Sequence, residues 1–282
     1  MKPPKVGPPA LGVKGGVELR CGRDAEGRPV IQSQRFRPPV HLSKPYHDRE
    51  ADALLVNLAC PTAGLLEEDR VDCEFVVSRH GTLVLTTPGA TRAHVMRSGK
   101  AVVTQRFVIE EDAFLEFAPG MLILQRDASL SQRSTVEIAP EGELIFTESI
   151  APGRIARGEI FQFREFSNRL SIKMEGKPVV RENYRLRPDD SSVTSWRNAF
   201  PEPFYACFYL FSPKVEEELP ARQSIHDLGD DNLLIGTTRL HRSGWMIKLL
   251  AADAITLRKA MGIVRSKLYL ALDRVEPSFR RY

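Results

Sequence analysis

The stretch that sets the fold is Val71-Asp72-Cys73-Glu74-Phe75-Val76-Val77. Over its first five positions apolar and acidic side chains alternate, which is the two-residue period of a β-strand with one buried face. The same period returns at residues 103–108, 143–146 and 169–174, and residues 83–87 form another strand-like run. These segments predict several short strands.

Turn residues separate the predicted strands at intervals of about 8–12 residues, for example at 79–81, 110–112, 140–142 and 175–177. This spacing predicts a mainly β protein of stacked hairpins. Between residues 53 and 190 the sequence lacks the period of a crossover helix. The pattern therefore excludes a doubly wound parallel sheet covered by helices.

The last third of the chain predicts two helices. The first begins at Ser212, a suitable N-cap, with Pro213 at the first helical position and acidic residues at 216–218, and Pro220 ends it. The second runs from its cap Asp253 to about residue 273. An apolar stripe at helical spacing supports it: Leu257, Met261, Val264, Leu268 and Leu272. Off this stripe lie Arg258, Arg265 and Lys267.

Composition is that of an ordinary globular protein. The 282 residues are 42% hydrophobic and 27% charged, with a net charge of +4. We predict a flexible tail at residues 1–14 and a single domain at 15–282. The longest segment without charged side chains, residues 53–66, is too short to span a bilayer. Residues 1–5 are not followed by an apolar signal segment, so we expect a cytoplasmic protein.

Motifs for common enzyme classes and metal sites are missing from the sequence. The four cysteines form no C-x-x-C pair, and the six histidines lie far apart, which argues against a structural zinc site. The phosphate-binding, dinucleotide-binding and G-x-S-x-G nucleophile patterns are also absent. These absences disfavour an enzyme without excluding a hydrolase or transferase whose catalytic residues are dispersed.

The most distinctive segment is Thr147-Glu148-Ser149-Ile150-Ala151-Pro152-Gly153-Arg154-Ile155-Ala156-Arg157-Gly158-Glu159. Its glycines mark positions where the backbone takes a positive φ or approaches another group closely. Two interpretations are open. Arg154 and Glu159 form a surface ion pair of little energetic value, or the segment places carboxylates and a guanidinium in a polar channel or interface.

This segment and several others resemble the UreD (UreH) family of urease accessory proteins. Residues 153–159, here named the signature loop, match the family pattern GR-x-A-x-GE in full. Four further segments resemble family motifs in the same order: 55–57 with 64–70 (GG-x-x-x-GDR), 86–92 (TT-x-x-AT-K), 115–119 (LE-x-x-P) and 244–250, which precedes the final helix. The resemblance covers roughly residues 15–275.

The chain departs from the family pattern at several positions. Ala63, Glu67 and Glu68 stand where small residues are usual, and Arg92 replaces a lysine. Arginine and lysine differ in geometry and hydration. These changes indicate a distant branch of the family and leave an altered partner or function open.

The resemblance implies a helically wound, mainly β fold with two helices in the C-terminal third. It also implies a non-catalytic chaperone that assists nickel delivery to apo-urease, with UreF-like and UreG-like proteins and the urease apoprotein as partners. No cofactor is expected to bind tightly, and Ni²⁺ is expected to pass through transiently. A conduit needs weak oxygen ligands, and the matched acidic candidates are Asp69, Glu148 and Glu159. The matched binding candidates are Gly153, Arg154, Gly158, Arg70, Arg92, Thr86 and Pro119.

Three other functions remain as alternatives. The first is an interaction module of the same fold without a metal role, and the second is the hydrolase or transferase already mentioned. The third is RNA binding by residues 1–50, which carry 10 basic and 5 acidic residues. Few aromatic side chains are interleaved with those basic residues, so we expect no nucleic-acid partner and no membrane partner.

Overall fold

The computed structural model describes residues 12–60, 62, 64–189 and 191–279. Ala63 and residues 1–11 of the predicted tail lie outside the described residues. Lys14, the last residue of the predicted tail, is already the first residue of β1. The division into a tail and one domain stays a prediction.

The described residues form twenty strands and three α-helices. The strands of the N-terminal half are β1 (Lys14–Arg23), β2 (Pro29–Arg37), β3 (His41–Leu42), β4 (Tyr46–Asp48), β5 (Ala53–Ala59), β6 (Arg70–Val77), β7 (Thr82–Thr86), β8 (Thr91–Ala93), β9 (Ala101–Ile109), β10 (Phe114–Ala118), β11 (Leu122–Leu124) and β12 (Ser129–Ile138). Those of the C-terminal half are β13 (Glu143–Ala151), β14 (Gly153–Arg154), β15 (Glu159–Ile160), β16 (Glu165–Met174), β17 (Lys177–Leu186), β18 (Phe204–Phe211), β19 (Leu233–Leu240) and β20 (Gly244–Ala251). The helices are α1 (Ser191–Ala199), α2 (Arg222–His226) and α3 (Ala254–Ala271).

Two large sheets organise these strands. The first sheet has the order β17-β16-β12-β9-β6-β1-β2, parallel from β16 to β1 and antiparallel at both edges. The second sheet has the main order β19-β20-β18-β13-β10-β7-β5-β3. Its strands β13, β10, β7 and β5 are parallel, and the remaining neighbours are antiparallel.

The chain winds between the two sheets as a helical coil. β6, β9 and β12 belong to the first sheet, and the strands that follow them, β7, β10 and β13, belong to the second. The predicted turns at 79–81, 110–112 and 140–142 therefore join strands of different sheets, whereas the turn at 175–177 closes a hairpin between β16 and β17. The prediction of stacked hairpins is wrong for the coil and holds only at this turn. Hairpins and parallel coils share the two-residue period, and the sequence pattern cannot distinguish them. The mainly β, helically wound fold class is confirmed.

The core lies between the facing sheets and is rich in aromatic rings. The Phe107 ring centroid lies 5.2 Å from that of Phe75 and 4.9 Å from that of Phe117. Phe146 also packs against Phe107, at 5.5 Å. Phe75, Phe107 and Phe146 are fully buried. Burial of each such side chain contributes roughly 1.5–3 kcal/mol relative to exposure.

The helix α3 confirms the predicted second helix. The Asp253 side chain caps it by accepting hydrogen bonds from the backbone N–H groups of Ile255 at 2.8 Å and Thr256 at 2.9 Å. Its apolar stripe packs on the outer face of the second sheet, where Leu257, Val264 and Leu268 are buried. Arg265, although off the stripe, is also buried, because its guanidinium pairs with Glu116 of β10.

The predicted first helix is a short 3₁₀ turn, Pro213–Val215, capped by Ser212 as expected. The Val215 carbonyl, which an α-helix would use internally, instead accepts a hydrogen bond from the Trp245 indole at 2.9 Å. An α-helix resumes only after Pro220, as α2. The sequence did not predict α1, so the described residues contain three α-helices in the C-terminal third instead of two.

Candidate functional site

The signature loop is a small two-stranded turn. β14 pairs with β15, and a 3₁₀ turn at Ile155–Arg157 joins them. Gly153 has a φ of 142°, and a Cβ atom there would lie 1.7 Å from the Glu159 carbonyl oxygen. Gly158 has a φ of 67° and closes the turn through its N–H bond to the Ile155 carbonyl at 2.8 Å. Both glycines of the motif are therefore required by the backbone.

Arg154 and Glu159 hold the signature loop together through a bidentate ion pair. Arg154 Nε donates to Glu159 Oε2 at 2.7 Å, and Nη2 donates to Oε1 at 2.5 Å. The backbone N–H of Arg126 adds a bond of 3.2 Å. These bonds, that from Arg154 foremost, lower the pKa of Glu159. The pair is not a simple surface pair, since only 8% of the Glu159 side chain is exposed.

A groove of about 930 Å³ runs between the signature loop and α3. Four of the predicted binding residues line it: Arg92, Pro119, Gly153 and Arg154. Its other wall is formed by Ala254, Arg258 and Met261, at the start of α3. Distant parts of the predicted site thus come together at one surface.

A second, smaller cavity of about 150 Å³ lies between the two sheets. Its wall is mostly apolar, with polar side chains at Gln105, Gln132, Glu148 and Tyr184. Pro119, Gly120 and Ser149 line both this cavity and the groove. These three residues therefore form the boundary between the surface groove and the interior cavity.

Glu148 is the acidic residue of this cavity. Its side chain is buried and accepts bonds from Asn168 Nδ2 at 3.1 Å to each carboxylate oxygen and from Gln132 Nε2 at 3.3 Å. Among the described residues no cation reaches ion-pair distance, since the nearby Lys248 is paired with Glu182 at 2.9 Å. Burial disfavours the charged form and raises the pKa of Glu148 to about 7.

Two buried side-chain oxygen atoms in this region lack hydrogen-bond partners among the described residues. Asn168 is fully buried and uses its amide N–H groups for Glu148 and Tyr184 Oη, leaving its own Oδ1 unpaired. Thr147 of β13 also has an unpaired Oγ1, but its side chain points to the face of the strand opposite to Glu148. Unpaired buried polar atoms are rare, and they suit a water molecule or an oxygen-seeking cation.

The other two acidic candidates do not line the cavity. Glu159 is occupied by Arg154, as described above. Asp69 accepts the backbone N–H groups of Val13 at 2.9 Å and Leu66 at 2.8 Å, and its side chain is buried. It fixes the segment that leads into β6. A role for either residue in binding nickel stays a prediction.

The remaining predicted residues have structural contacts away from Glu148. Thr86 Oγ1 donates to the Ala118 carbonyl at 2.8 Å, and Arg70 is exposed at the start of β6. Glu67 accepts backbone N–H groups of residues 97–99, that of Gly99 first, and these bonds lower its pKa to about 2. Glu68 has a φ of 65°, a conformation that glycine adopts without strain.

Sequence reasoning missed Gln132, Asn168 and Tyr184. The coil brings them together, because Gln132 lies opposite Asn168 and Asn168 opposite Tyr184 in neighbouring strands. One signal was present in the sequence. Asn168 occupies the same face of β16 as Leu170 and Ile172, and a polar residue in an apolar row marks a position with a special partner.

Metal-ligand clusters and membrane-spanning helices are both missing from the described residues. Within the described part of the chain, no three His, Cys, Asp or Glu side chains lie close enough together to hold a metal ion. In that same part, no helix is long and apolar enough to cross a membrane. All four cysteines are free, and burial raises the pKa of Cys21, Cys73 and Cys207 to about 12.

Known proteins are similar to this chain over most of its length. A profile of the UreD urease accessory protein family matches residues 13–280. The urease accessory protein UreD of Opitutus terrae is 32% identical over 95% of this chain and 98% of its own length. UreH of Helicobacter acinonychis is 30% identical over 64% of this chain and 68% of its own length. UreD of Acetivibrio thermocellus is 23% identical over 87% and 94%. The chain therefore belongs to the UreD family of urease accessory proteins.

Proposed function

We propose that this protein is a non-catalytic, cytoplasmic scaffold of urease maturation that passes nickel to the urease apoprotein through the interior cavity. Its proposed partners are UreF-like and UreG-like proteins and the apoprotein itself. Membership in a family of urease accessory proteins supports a role in urease maturation. The lack of catalytic motifs in the sequence agrees with an accessory role.

The buried carboxylate of Glu148 is the observation that carries this proposal. A buried carboxylate without a cationic partner, beside the unpaired Oδ1 of Asn168, is a favourable position for a divalent cation. One carboxylate with neutral oxygen ligands binds Ni²⁺ weakly compared with imidazole or thiolate clusters. Weak binding suits an ion that must be released to the apoprotein.

The groove supplies an access to this cavity. Ser149 lies in both walls and follows Glu148 in β13, so the groove ends at the strand that carries the carboxylate. The guanidinium groups of Arg92 and Arg258 at the groove repel a free cation. They are better suited to carboxylates of a partner protein that covers the groove and guides the ion inward.

The test is Glu148→Gln, which keeps the shape of the side chain and removes its charge. We expect the variant to fold and to assemble with the UreF-like partner, while urease activity and urease-bound nickel in cells fall severalfold. Glu182→Gln is the matched control, because Glu182 is a nearby, partly buried acid that already has Lys248 as its partner. Normal activation with Glu148→Gln would remove this residue from the nickel path.

Binding of nickel to the purified complex gives a second test. We expect a dissociation constant in the micromolar range or weaker by calorimetry, on the argument from ligand type. A tight, stoichiometric site on this chain that survives dialysis against a chelator would contradict a conduit. An interaction module without a metal role would show normal assembly and no effect of Glu148→Gln on nickel.

A further inference from the structure

The outer face of the first sheet carries a cluster of arginines on its β12–β16–β17 half. It consists of Arg133, Arg169, Arg181 and Arg185, here named the arginine patch, and all four are exposed. Arg133 of β12 lies directly opposite Arg169 of β16. Arg169 lies opposite Asn183 of β17, whose neighbours on the same face are Arg181 and Arg185.

Charge compensation in this patch is poor. Arg133, Arg169 and Arg181 form no hydrogen bond or ion pair with another described residue. Arg185 lies 3.6 Å from Glu165, but Glu165 also pairs with Arg187, at 2.7 Å. Like charges directly opposite each other on neighbouring strands destabilise a sheet. The stability of the isolated chain therefore does not account for this arrangement.

The other half of the same face is compensated. Arg106 of β9 pairs with both Glu74 and Glu137, and Arg20 of β1 pairs with Glu110 at 3.1 Å. Arg20 and Arg106 are exposed like the arginines of the patch, but they have acidic partners. Arg35 and Arg37 of β2 also lie on this half, but Glu18 and Asp72 lie on the same face of β1 and β6, so the uncompensated positive charge is concentrated in the patch.

The chemistry of the patch points to carboxylates on a large partner. Arginine offers a planar fork that binds carboxylates in a bidentate manner, and all four cations are arginines rather than lysines. Short polar side chains lie between them at Ser131, Ser167 and Ser171 and leave the guanidinium groups accessible. The four arginines spread over three strands, so a small anion would leave most of them unpaired.

We propose that the arginine patch is a docking surface for the acidic face of a folded protein. The outward positions of β12, β16 and β17 carry no aromatic ring on which a nucleic-acid base could stack. A symmetric second copy would have to place the patch against acids of the same sheet face, and Glu74 and Glu137 there are already paired with Arg106.

The position of the patch separates it from the groove. α3 and the groove lie on the outer side of the second sheet, whereas the patch lies on the outer side of the first sheet, across the core. One partner can therefore occupy the groove while another contacts the patch. This inference rests on the proposed function only for the choice of probe, which is the cognate urease apoprotein.

The experiment measures binding of the urease apoprotein to this chain, co-purified with its UreF-like partner, at low and high salt. We expect Arg133→Ser/Arg169→Ser to weaken binding by roughly tenfold or more at low salt and to flatten its salt dependence. The control is Arg20→Ser/Arg106→Ser, which removes the same net charge from the compensated half. It should change the affinity by less than about twofold.

Each outcome decides the proposal. An equal loss of affinity in the patch variant and the control variant would show a net-charge effect and overturn the proposal. Unchanged affinity in both variants would also overturn it. Binding of duplex DNA that is lost with the patch, while apoprotein binding is kept, would overturn the protein partner. If the serine variant fails to fold, Arg133→Lys/Arg169→Lys keeps the charge and removes the fork, and it should still weaken binding. If no complex with the UreF-like partner forms at all, the proposed function fails instead.

Discussion

Replacement of Glu148 by glutamine should stabilise the protein at neutral and alkaline pH. The pKa of Glu148 is raised from 4.5 to about 7 by burial. The folded state therefore binds the Glu148 proton more tightly than the unfolded state does. Between these two pKa values the unfolded state carries fewer protons, so the free energy of unfolding falls as the pH rises.

The size of the effect follows from the shift. A difference of about two and a half pKa units corresponds to about 3 kcal/mol once both states are ionised, at 1.36 kcal/mol per unit. The loss begins near pH 4.5 and is complete somewhat above pH 7. Glutamine does not titrate and keeps an acceptor for Asn168 and Gln132. The variant should therefore be more stable than the wild type by up to about 3 kcal/mol at pH 8 and nearly equal to it at pH 4.5.

Urea unfolding followed by circular dichroism at pH 4.5, 6 and 8 measures this difference. Glu182→Gln serves as the control, since its loss removes an ion pair with Lys248 and should not raise stability at pH 8. The reasoning is refuted if Glu148→Gln is less stable than the wild type at pH 8. It is also refuted if the difference between the two proteins does not change with pH.

Three further substitutions test the contacts around the site. Gly153→Ala should lower the free energy of unfolding by more than about 2 kcal/mol, because its Cβ would meet the Glu159 carbonyl; Gly158→Ala, with open space around it, should lower it by only about 1 kcal/mol. Urea denaturation compares them, and equal effects would contradict the close approach. Arg265→Met should lower the free energy of unfolding by about 3–5 kcal/mol in the same assay, since Glu116 would stay buried without a cation and with only the Tyr269 hydroxyl as donor; adding Glu116→Gln should recover part of that loss. Glu159→Gln should weaken the fold above pH 4.5 and make little difference in acid, because the lowered pKa of Glu159 stabilises the fold only where the carboxyl is ionised; thermal melts at pH 3 and 7 check this.

The sequence predicted those elements whose signal is local. The stripe from Leu257 to Leu272 predicted α3, because one helix face packs on one sheet and the period survives in the sequence. Alternation predicted the strands for the same reason. The partner of each strand was not predictable, since a strand has the same period in a hairpin and in a coil. The buried ion pair of Arg265 with Glu116 was equally hidden, because the two residues are far apart in the chain.

The candidate site was predictable only in part. The motifs indicated Glu148 and the signature loop, and the structure places Arg92, Pro119, Gly153 and Arg154 around one groove. The motifs did not indicate that Asp69 and Glu159 are occupied by structural partners. Nor did they reveal Asn168 and Gln132, which reach Glu148 from different coils. Such contacts depend on register between strands, which no short motif encodes.

The contrast among buried carboxylates explains why Glu148 stands out. Glu116, Glu143 and Glu159 each have an arginine partner, and Asp48 and Asp69 accept backbone N–H groups. Glu148 alone among the buried acids of the described residues has only neutral amide side chains as donors. A buried charge compensated this weakly lowers stability, so fold stability does not account for it. In the proposed function, a passing divalent cation supplies the missing positive charge and displaces the proton. Because the other nearby ligands are neutral oxygens, the cation binds strongly enough to enter the cavity but too weakly to stay there.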